Sequence, residues 1–272
     1  MVEAWQGTPP PDQPPLALRD WLRVLRRGLP LALLVFGGLL VLVLIRLVER
    51  PVFGQRRPVT PYVTQAVCRA AFLLLGIGYA TQGDPMRGAG AVVANHASWL
   101  DIFALNARKR IYFVSKSEVA GWPGIGWLAR ATGTVFIRRD RRDALSQIAL
   151  FRDRLQAGHK LLFFPEGTST DGLQVLPFKP TLFAAFLDPA LRADLQVQPV
   201  TLRYCAPAGA DARFYGWWGD MEFGAHLLAT LAARCQGGVT VIYHPPVQVR
   251  DYTDRKALAR ALEDRVRAGL AG

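Results

Sequence analysis

The sequence predicts an α/β fold, a mixed sheet flanked by helices, preceded by an N-terminal membrane-docking helical element. After Asp84, short apolar runs typical of strands alternate with segments of helical periodicity, which is characteristic of a sheet covered by helices. Before Asp84, the uncharged stretch from Leu29 to Ile45 concentrates the apolar content of a chain that is 51% hydrophobic. The part after Asp84 is therefore predicted to form a folded domain, and the part before it to dock on a membrane.

The predicted sheet and its helices account for residues 81–272, which we expect to form one domain. The predicted strands lie near residues 91–94, 111–114, 134–137, 161–164, 197–203 and 239–243. The predicted helices lie near residues 99–107, 143–157, 221–234 and 255–268.

The N-terminal part is predicted to contain a tail and two membrane-associated helices. Residues 1–15 hold five prolines and no apolar period, so we expect a disordered tail. Leu29 to Ile45 would be roughly 26 Å long as a helix, just short of a hydrocarbon core. Arginines on both sides give no clean orientation, so this helix either spans the bilayer or dips in and returns. Together with a second predicted helix over Tyr62 to Tyr79, this helix is expected to form an uncleaved, membrane-associated unit over residues 16–80.

Basic residues dominate the charge of the chain. Thirty-three Lys and Arg outnumber 21 Asp and Glu, which gives a net charge of +12 and a pI near 10.2. Such a chain attracts anionic membrane surfaces, phosphorylated small molecules and acidic carrier proteins. It would also attract nucleic acid, but no helix–turn–helix, zinc or aromatic RNP pattern is present, so we expect no nucleic-acid partner. Three cysteines without paired spacing predict a reducing compartment and no metal site.

The segment Asn95 to Asp101 combines an imidazole and a carboxylate at the end of a predicted strand. His96 follows the apolar run 90–94, and the next helical pattern predicts Ser98 as the N-cap and Asp101 as the third helical residue. A carboxylate there points back over the helix start, so we expect Asp101 to hold the His96 ring in one tautomer. The other ring nitrogen would then accept a proton near neutral pH. An ordinary capping box beside a loop histidine is the alternative.

A second segment places polar groups at the end of a predicted strand. The apolar run 160–164 is followed by Glu166, Gly167 and Thr168, which offer an acceptor, exposed backbone N–H groups and a hydroxyl. A polar turn closed by glycine is the alternative interpretation.

Arginines follow the predicted strand 134–137. The guanidinium groups of Arg138 and Arg139 match phosphate oxygens in a bidentate way, so these residues are candidate phosphate ligands. Arg141 and Arg142 belong instead to a solvated charge run that opens the next helix.

Together these blocks resemble those of the glycerolipid acyltransferases typified by lysophosphatidic acid acyltransferase. In order, they are NHASWLD at 95–101, VFIRR at 135–139, FPEGTST at 164–170 and VQPV at 197–200. The first and third blocks together are highly specific, although neither is specific alone.

The resemblance implies a catalytic and a substrate-binding set of residues. It implies His96 as catalytic base with Asp101 as its partner, and an acceptor-binding set of Arg138, Arg139, Glu166, Gly167 and Thr168. Acyl transfer from a thioester to a hydroxyl requires a proton to leave the alcohol as it attacks, and a neutral histidine can accept that proton. We expect direct attack in a ternary complex, with backbone N–H groups around Ser98 as candidate oxyanion donors. No cofactor and no metal are expected beyond the acyl donor.

The resemblance further implies a membrane-bound O-acyltransferase at the cytoplasmic face of the inner membrane. The donor would be acyl-CoA or acyl-carrier protein, and the favoured acceptor is the lysophospholipid 1-acyl-glycerol-3-phosphate, which would give phosphatidic acid. O-acylation of lyso-ornithine lipid or another lyso-aminolipid is the alternative reaction. A non-catalytic membrane-binding module that retains the fold is the alternative outside enzymes.

Overall fold

The computed structural model describes residues 5–11, 15–122, 124–137 and 144–272, which include a mixed sheet of eight strands with helices on both faces. The predicted fold class is confirmed. The helices are α1 (Leu18–Phe53), α2 (Thr60–Leu75), α3 (Asp101–Arg108), α4 (Ile125–Thr132), α5 (Ala144–Gln156), α6 (Pro189–Arg192), α7 (Phe223–Ala232) and α8 (Arg255–Ala271). The strands are β1 (Gly78–Gln82), β2 (Gly90–Ala94), β3 (Tyr112–Lys116), β4 (Val135–Ile137), β5 (Lys160–Phe163), β6 (Gln196–Cys205), β7 (Gly238–Tyr243) and β8 (Val247–Gln248).

The sheet has the strand order β1-β7-β6-β2-β5-β3-β4, and β8 pairs with β6 outside this path. β2 lies at the centre and is parallel to both β5 and β6. β7 and β8 run antiparallel to β6, which makes the sheet mixed. The carboxyl ends of β2, β5 and β6 therefore lie at the same edge of the sheet.

Two apolar cores cover the two faces of the sheet. Alternate residues of β2 belong to opposite cores, Val92 and Ala94 to one, Ala91 and Val93 to the other. The first core contains side chains of α1, α2, α3 and α7, and the second contains side chains of α5 and α8. All five residues of β2 are buried, as expected for a central parallel strand.

The N-terminal helices differ in length from the prediction. α1 extends well beyond the uncharged run, over 36 residues, and it is long and apolar enough to cross a membrane. α2 ends at Leu75 instead of Tyr79, because Gly76 adopts a left-handed conformation with φ of 73° and stops the helix. The residues after Gly76 form β1, which pairs with β7 and was not predicted.

Residues 5–11, which the composition assigns to a disordered tail, make defined contacts with the domain. The Trp218 indole N–H donates to the carbonyl oxygens of Gln6 and Thr8 at 3.2 and 3.3 Å, and Trp5 packs beside the same indole. Buried indole N–H groups need such acceptors. The predicted division of the chain at residues 15 and 80 stays a prediction.

Candidate active site

The predicted site residues lie at the carboxyl edge of two adjacent parallel strands. Val93 of β2 pairs with Phe163 of β5, so the residues that follow the two strands lie side by side. This register brings His96 and Glu166 together although 70 positions separate them.

His96 and Asp101 form a hydrogen-bonded pair. The distance between His96 Nδ1 and Asp101 Oδ2 is 2.7 Å; the Asp101 side chain is fully buried, whereas 22% of the His96 side chain is exposed. The carboxylate favours the tautomer with the proton on Nδ1, which leaves Nε2 as the acceptor. Nδ1 is thus the ring nitrogen that the carboxylate engages, and Nε2 is the one left for a substrate. The His96 ring also stacks on Phe164, with centroids 4.0 Å apart, so its plane is fixed from one side.

The helix after His96 begins later than predicted. α3 starts at Asp101 with Leu100 as N-cap, and the Ser98 hydroxyl accepts from the Leu100 amide at 3.3 Å. Ser98 is therefore not the N-cap, because a tight turn at Trp99 and Leu100 precedes the helix. The reach of Asp101 back to His96 is nevertheless as predicted, since this turn keeps the carboxylate over the same loop.

The Asp101 carboxylate accepts three further hydrogen bonds. The amides of Ala97 and Ser98 donate to Oδ2 at 2.8 and 3.0 Å, and the Tyr204 hydroxyl donates to Oδ1 at 2.7 Å. Tyr204 comes from β6, which extends past the end of β2 at the same edge. No local sequence signal identifies Tyr204, because its contact with Asp101 depends on the pairing of β6 with β2.

The amides around Ser98 do not fit the predicted oxyanion role. Those of Ala97 and Ser98 are held by Asp101, and that of Leu100 is held by the Ser98 hydroxyl. An amide N–H that already donates within the protein is not free to stabilise a developing oxyanion. The expectation is therefore wrong for these three groups.

Glu166 braces the loop that carries His96. Oε1 accepts from the His96 amide and Oε2 from the Leu176 amide, both at 2.7 Å, and the residue is only 1% exposed. Burial raises the pKa of Glu166 to about 8; repulsion from Asp101 and Glu263 adds to this, and the two amide bonds oppose it. Both oxygens thus engage the backbone of the chain, which favours a positioning role over direct contact with the acceptor.

Gly167 and Thr168 continue this turn toward the surface. Gly167 has a φ of 77°, a conformation that strains any side chain, so its glycine is required by the backbone. The Thr168 hydroxyl accepts from the Trp5 amide at 3.3 Å and is partly exposed. Their predicted acceptor-binding roles stay predictions, and Arg138 and Arg139 lie outside the described residues.

Two of the other histidines have structural surroundings. His226 Nδ1 accepts from the Trp99 indole at 2.9 Å, and burial lowers the pKa of His226 to about 4. His244 Nε2 lies 2.8 Å from the Thr201 hydroxyl. Within residues 5–11, 15–122, 124–137 and 144–272, no group of three or more His, Cys, Asp or Glu is placed to hold a metal ion.

Comparisons with known proteins show to which family the chain is similar. A family model described as acyltransferase matches residues 81–203. The chain is 58% identical to the lyso-ornithine lipid O-acyltransferase of Rhodobacter capsulatus over 98% of this chain and 96% of that protein. It is 41% identical to a 1-acyl-sn-glycerol-3-phosphate acyltransferase of Neisseria gonorrhoeae, over 43% of this chain and 45% of that protein.

A solved structure shares the fold. The crystal structure of the 1-acyl-sn-glycerophosphate acyltransferase PlsC from Thermotoga maritima superposes with a TM-score of 0.65 at 21% identity, covering 93% of this chain and 95% of that one. The chain belongs to the glycerolipid acyltransferase family. The prediction of an O-acyltransferase is thereby confirmed.

Proposed function

We propose that the protein transfers a fatty acyl group from a thioester donor to the free hydroxyl of lyso-ornithine lipid. The observation that carries this proposal is the 58% identity, over nearly the full length of both chains, to a protein of that activity. The acceptor favoured by the sequence, 1-acyl-glycerol-3-phosphate, has weaker support, because the Neisseria relative matches only 43% of the chain.

The geometry at His96 supports a general-base step. Nε2 of His96 takes the proton of the acceptor hydroxyl while the hydroxyl oxygen attacks the thioester carbonyl carbon. The tetrahedral intermediate then collapses, the carbon–sulfur bond breaks, and the thiolate leaves with the proton returned by His96. Asp101 stabilises the transient imidazolium through Nδ1, at the 2.7 Å separation of the pair.

The donor and the acceptor-binding residues form the second part of the proposal. The donor is acyl-CoA or acyl-carrier protein, both of which would be attracted by a chain of net charge +12. Gly167, Thr168 and the arginines Arg138 and Arg139 border the acceptor, and Glu166 acts on it through the His96 loop. In this proposal the enzyme works at the cytoplasmic face of the inner membrane, held there by α1 and α2; the apolar length of α1 supports the attachment to a membrane.

The experiment that tests the acceptor is a direct competition. The purified full chain receives lyso-ornithine lipid and 1-acyl-glycerol-3-phosphate together, first with acyl-CoA and then with acyl-carrier protein, and both products are quantified. We expect acyl-ornithine lipid as the main product, formed more slowly, by about a hundredfold or more, with His96→Ala. Faster formation of phosphatidic acid would overturn the proposed acceptor.

Arg138→Ala and Arg139→Ala provide an independent measure. An arginine that grips a phosphate supports binding of a phosphate acceptor, and its loss would raise KM for that acceptor selectively. If lyso-ornithine lipid is the acceptor, neither variant should raise KM for it by the factor expected of a lost phosphate clamp, about tenfold or more.

A further inference from the structure

A cavity of about 430 Å³ opens at the end of the sheet opposite to His96. It lies where the turn between α1 and α2 meets the starts of β3 and β5. Lys160 lines the cavity and begins β5, whereas Phe164, which stacks on His96, follows the end of the same strand. Four residues of strand span roughly 13 Å, so the cavity is separate from the candidate active site.

The lining of the cavity is strongly basic. It contains Arg56, Arg57, Lys109, Arg110 and Lys160. None of the lining residues is acidic, and among the described residues no carboxylate lies within 4.0 Å of these five cations. Burial lowers the pKa of Lys160 to about 8, and repulsion from Lys109 and Arg110 adds to this effect. The fold thus collects like charges from three segments of the chain. The buried Glu49 carboxylate, which acts on Arg57 through its charge, lies outside the lining and is bound by Arg46, Val59 and Thr60.

A buried histidine lies in the lining. His159 is 4% exposed, and within the described part of the chain neither ring nitrogen has a partner at hydrogen-bond distance, although the Gln55 backbone lies near enough to raise the pKa of the ring slightly. Its ring is held against Tyr112, with centroids 4.1 Å apart. Arg57 also leaves its buried Nε unpaired. Buried polar groups are normally satisfied, so the wall of the cavity carries polar groups that the fold itself leaves unpaired.

We propose that this cavity binds the phosphate of an anionic phospholipid headgroup. Guanidinium and ammonium groups that converge without a carboxylate are the donor set that binds phosphate in proteins. The His159 ring lies in the wall of the cavity, where a bound phosphate would act on it through its charge. The inference does not depend on which acceptor the enzyme acylates.

The rim of the cavity favours a lipid over a soluble phosphate. Phe53 and Tyr62 line it, and both are about half exposed, at 50% and 55%. They continue the exposed apolar surface of α1, which includes Val52 and, one turn before it, Val48. A lipid whose chains lie on this surface would place its headgroup at the cavity mouth, as expected for aromatic and basic residues at a membrane interface. The same phosphate chemistry would also suit the nucleotide end of coenzyme A.

The experiment measures ligand-dependent thermal stability of the purified full chain in neutral detergent. The probes are dihexanoylphosphatidylglycerol and dihexanoylphosphatidylcholine below their micelle-forming concentrations, inorganic phosphate, and coenzyme A. The variants are Lys160→Gln and Arg110→Gln. Arg50→Gln is the matched control, since it removes a charge from the same end of α1 but outside the lining.

We expect the phosphatidylglycerol to raise Tm by several degrees and the phosphatidylcholine to have a much smaller effect. The shift should be lost in both cavity variants and kept in Arg50→Gln. Equal shifts in the parent and Lys160→Gln, or no shift at all, would overturn the site. A larger, cavity-dependent shift with coenzyme A or with inorganic phosphate would overturn the assignment to a lipid.

A second measurement needs no variant. Burial and the nearby arginines Arg154, Arg57 and Arg46 lower the pKa of His159 to about 3. A phosphate bound beside the ring would stabilise the imidazolium, so the pKa of His159, followed by NMR with labelled histidine, should rise when phosphatidylglycerol is added. An unchanged titration at saturating lipid would contradict the proposal.

Discussion

Asp101 holds the candidate base through more contacts than a simple pair requires. Its carboxylate accepts from two backbone amides and from Tyr204 in addition to the His96 ring. These donors fix both oxygens, so the imidazole has one favourable orientation and one favourable tautomer. The position of the proton acceptor, His96 Nε2, is therefore fixed by the buried Asp101 carboxylate, which its own hydrogen bonds keep from rotating.

Replacing the base or its partner should abolish transfer while the fold persists. His96→Ala removes the proton acceptor, and Asp101→Asn places an amide NH₂ against groups that donate to the carboxylate. We expect kcat to fall by about a hundredfold or more in each variant, the usual scale for a general base. The measurement is kcat and KM together with circular dichroism and Tm. Near-normal turnover in a folded His96→Ala protein would refute the assignment.

Tyr204→Phe tests positioning without removing a reacting group. Only the hydroxyl that donates to Asp101 is lost, so we expect kcat to fall by about fivefold to tenfold, the equivalent of one hydrogen bond, with KM nearly unchanged. Tyr215→Phe is the matched control, because Tyr215 donates to Gln236 and accepts from the Gly237 amide without touching Asp101. It should lower Tm and leave kcat intact. Equal effects of both variants on kcat would assign Tyr204 a merely structural role.

The pairing of His96 with Asp101 was predictable because it is local in sequence. Five positions separate the two residues, and the geometry of a helix start limits where a carboxylate there can point. The contact of Tyr204 with Asp101 joins residues 103 positions apart, and that of Glu166 with the His96 amide joins residues 70 positions apart. Both contacts depend on the register between strands. A single sequence does not specify which strands become neighbours, so these contacts were beyond prediction.

At the scale of elements, α1 has two faces with different partners. Val24 and Leu31 enter the first core, and the Arg27 guanidinium donates to the carbonyl oxygens of Leu231 and Ala233 at 2.8 and 2.6 Å. Cations suit the C-terminal end of a helix, here α7, where the last carbonyl groups lack partners. The sequence predicts the apolar run of α1. It does not predict that Arg27, which precedes this run, binds the end of α7, because Arg27 and Leu231 are 204 positions apart.

The opposite face of α1 presents a continuous apolar stripe. Leu29, Leu33, Phe36 and Leu40 follow helical spacing and are all more than half exposed. An exposed patch of this kind marks an interaction surface, and a lipid bilayer suits its length and composition. Deleting α1 would not test this cleanly, since the deletion would also open the first core.

Charges on the stripe should release the protein from membranes without unfolding it. In the double variant Leu33→Glu/Leu40→Glu, both changes lie on exposed positions, so burial in lipid becomes costly while packing is retained. We expect most of the protein to move to the supernatant in sedimentation with neutral liposomes. Arg260→Glu on α8 changes the net charge by the same amount and should leave binding unaltered. Retention of the double variant on liposomes would place the attachment elsewhere.

At the scale of the whole molecule, the excess of basic residues is unevenly distributed. The composition predicts attraction to anions, but not that Arg57, Lys109, Arg110 and Lys160, distant in sequence, converge on one cavity. Such convergence destabilises the unliganded fold through mutual repulsion, which a bound anion or high salt reduces.

The burial of Lys160 among these cations gives the stability of the protein a specific dependence on pH. The pKa of Lys160 is lowered from 10.5 to about 8 in the folded chain, mainly by burial. Between these values the unfolded chain binds more protons, so the contribution of Lys160 to stability increases as pH rises from about 8 to about 10. Below pH 8 the residue is charged in both states, and its destabilising effect is complete.

Lys160→Gln should therefore be more stable than the parent at pH 7, and its advantage should shrink as pH approaches 10. The measurement is the difference in the free energy of unfolding between variant and parent at several pH values, in low salt and without anionic lipid. This difference cancels the titration of other groups, such as Cys68, whose raised pKa acts in the opposite direction. Lys256→Gln, which removes an exposed lysine of α8, should show no comparable trend. A variant that is less stable than the parent at pH 7, or a difference that is flat with pH, would mean that Lys160 is not a destabilising cation. The repulsion attributed to the cations of the cavity would then have to be abandoned.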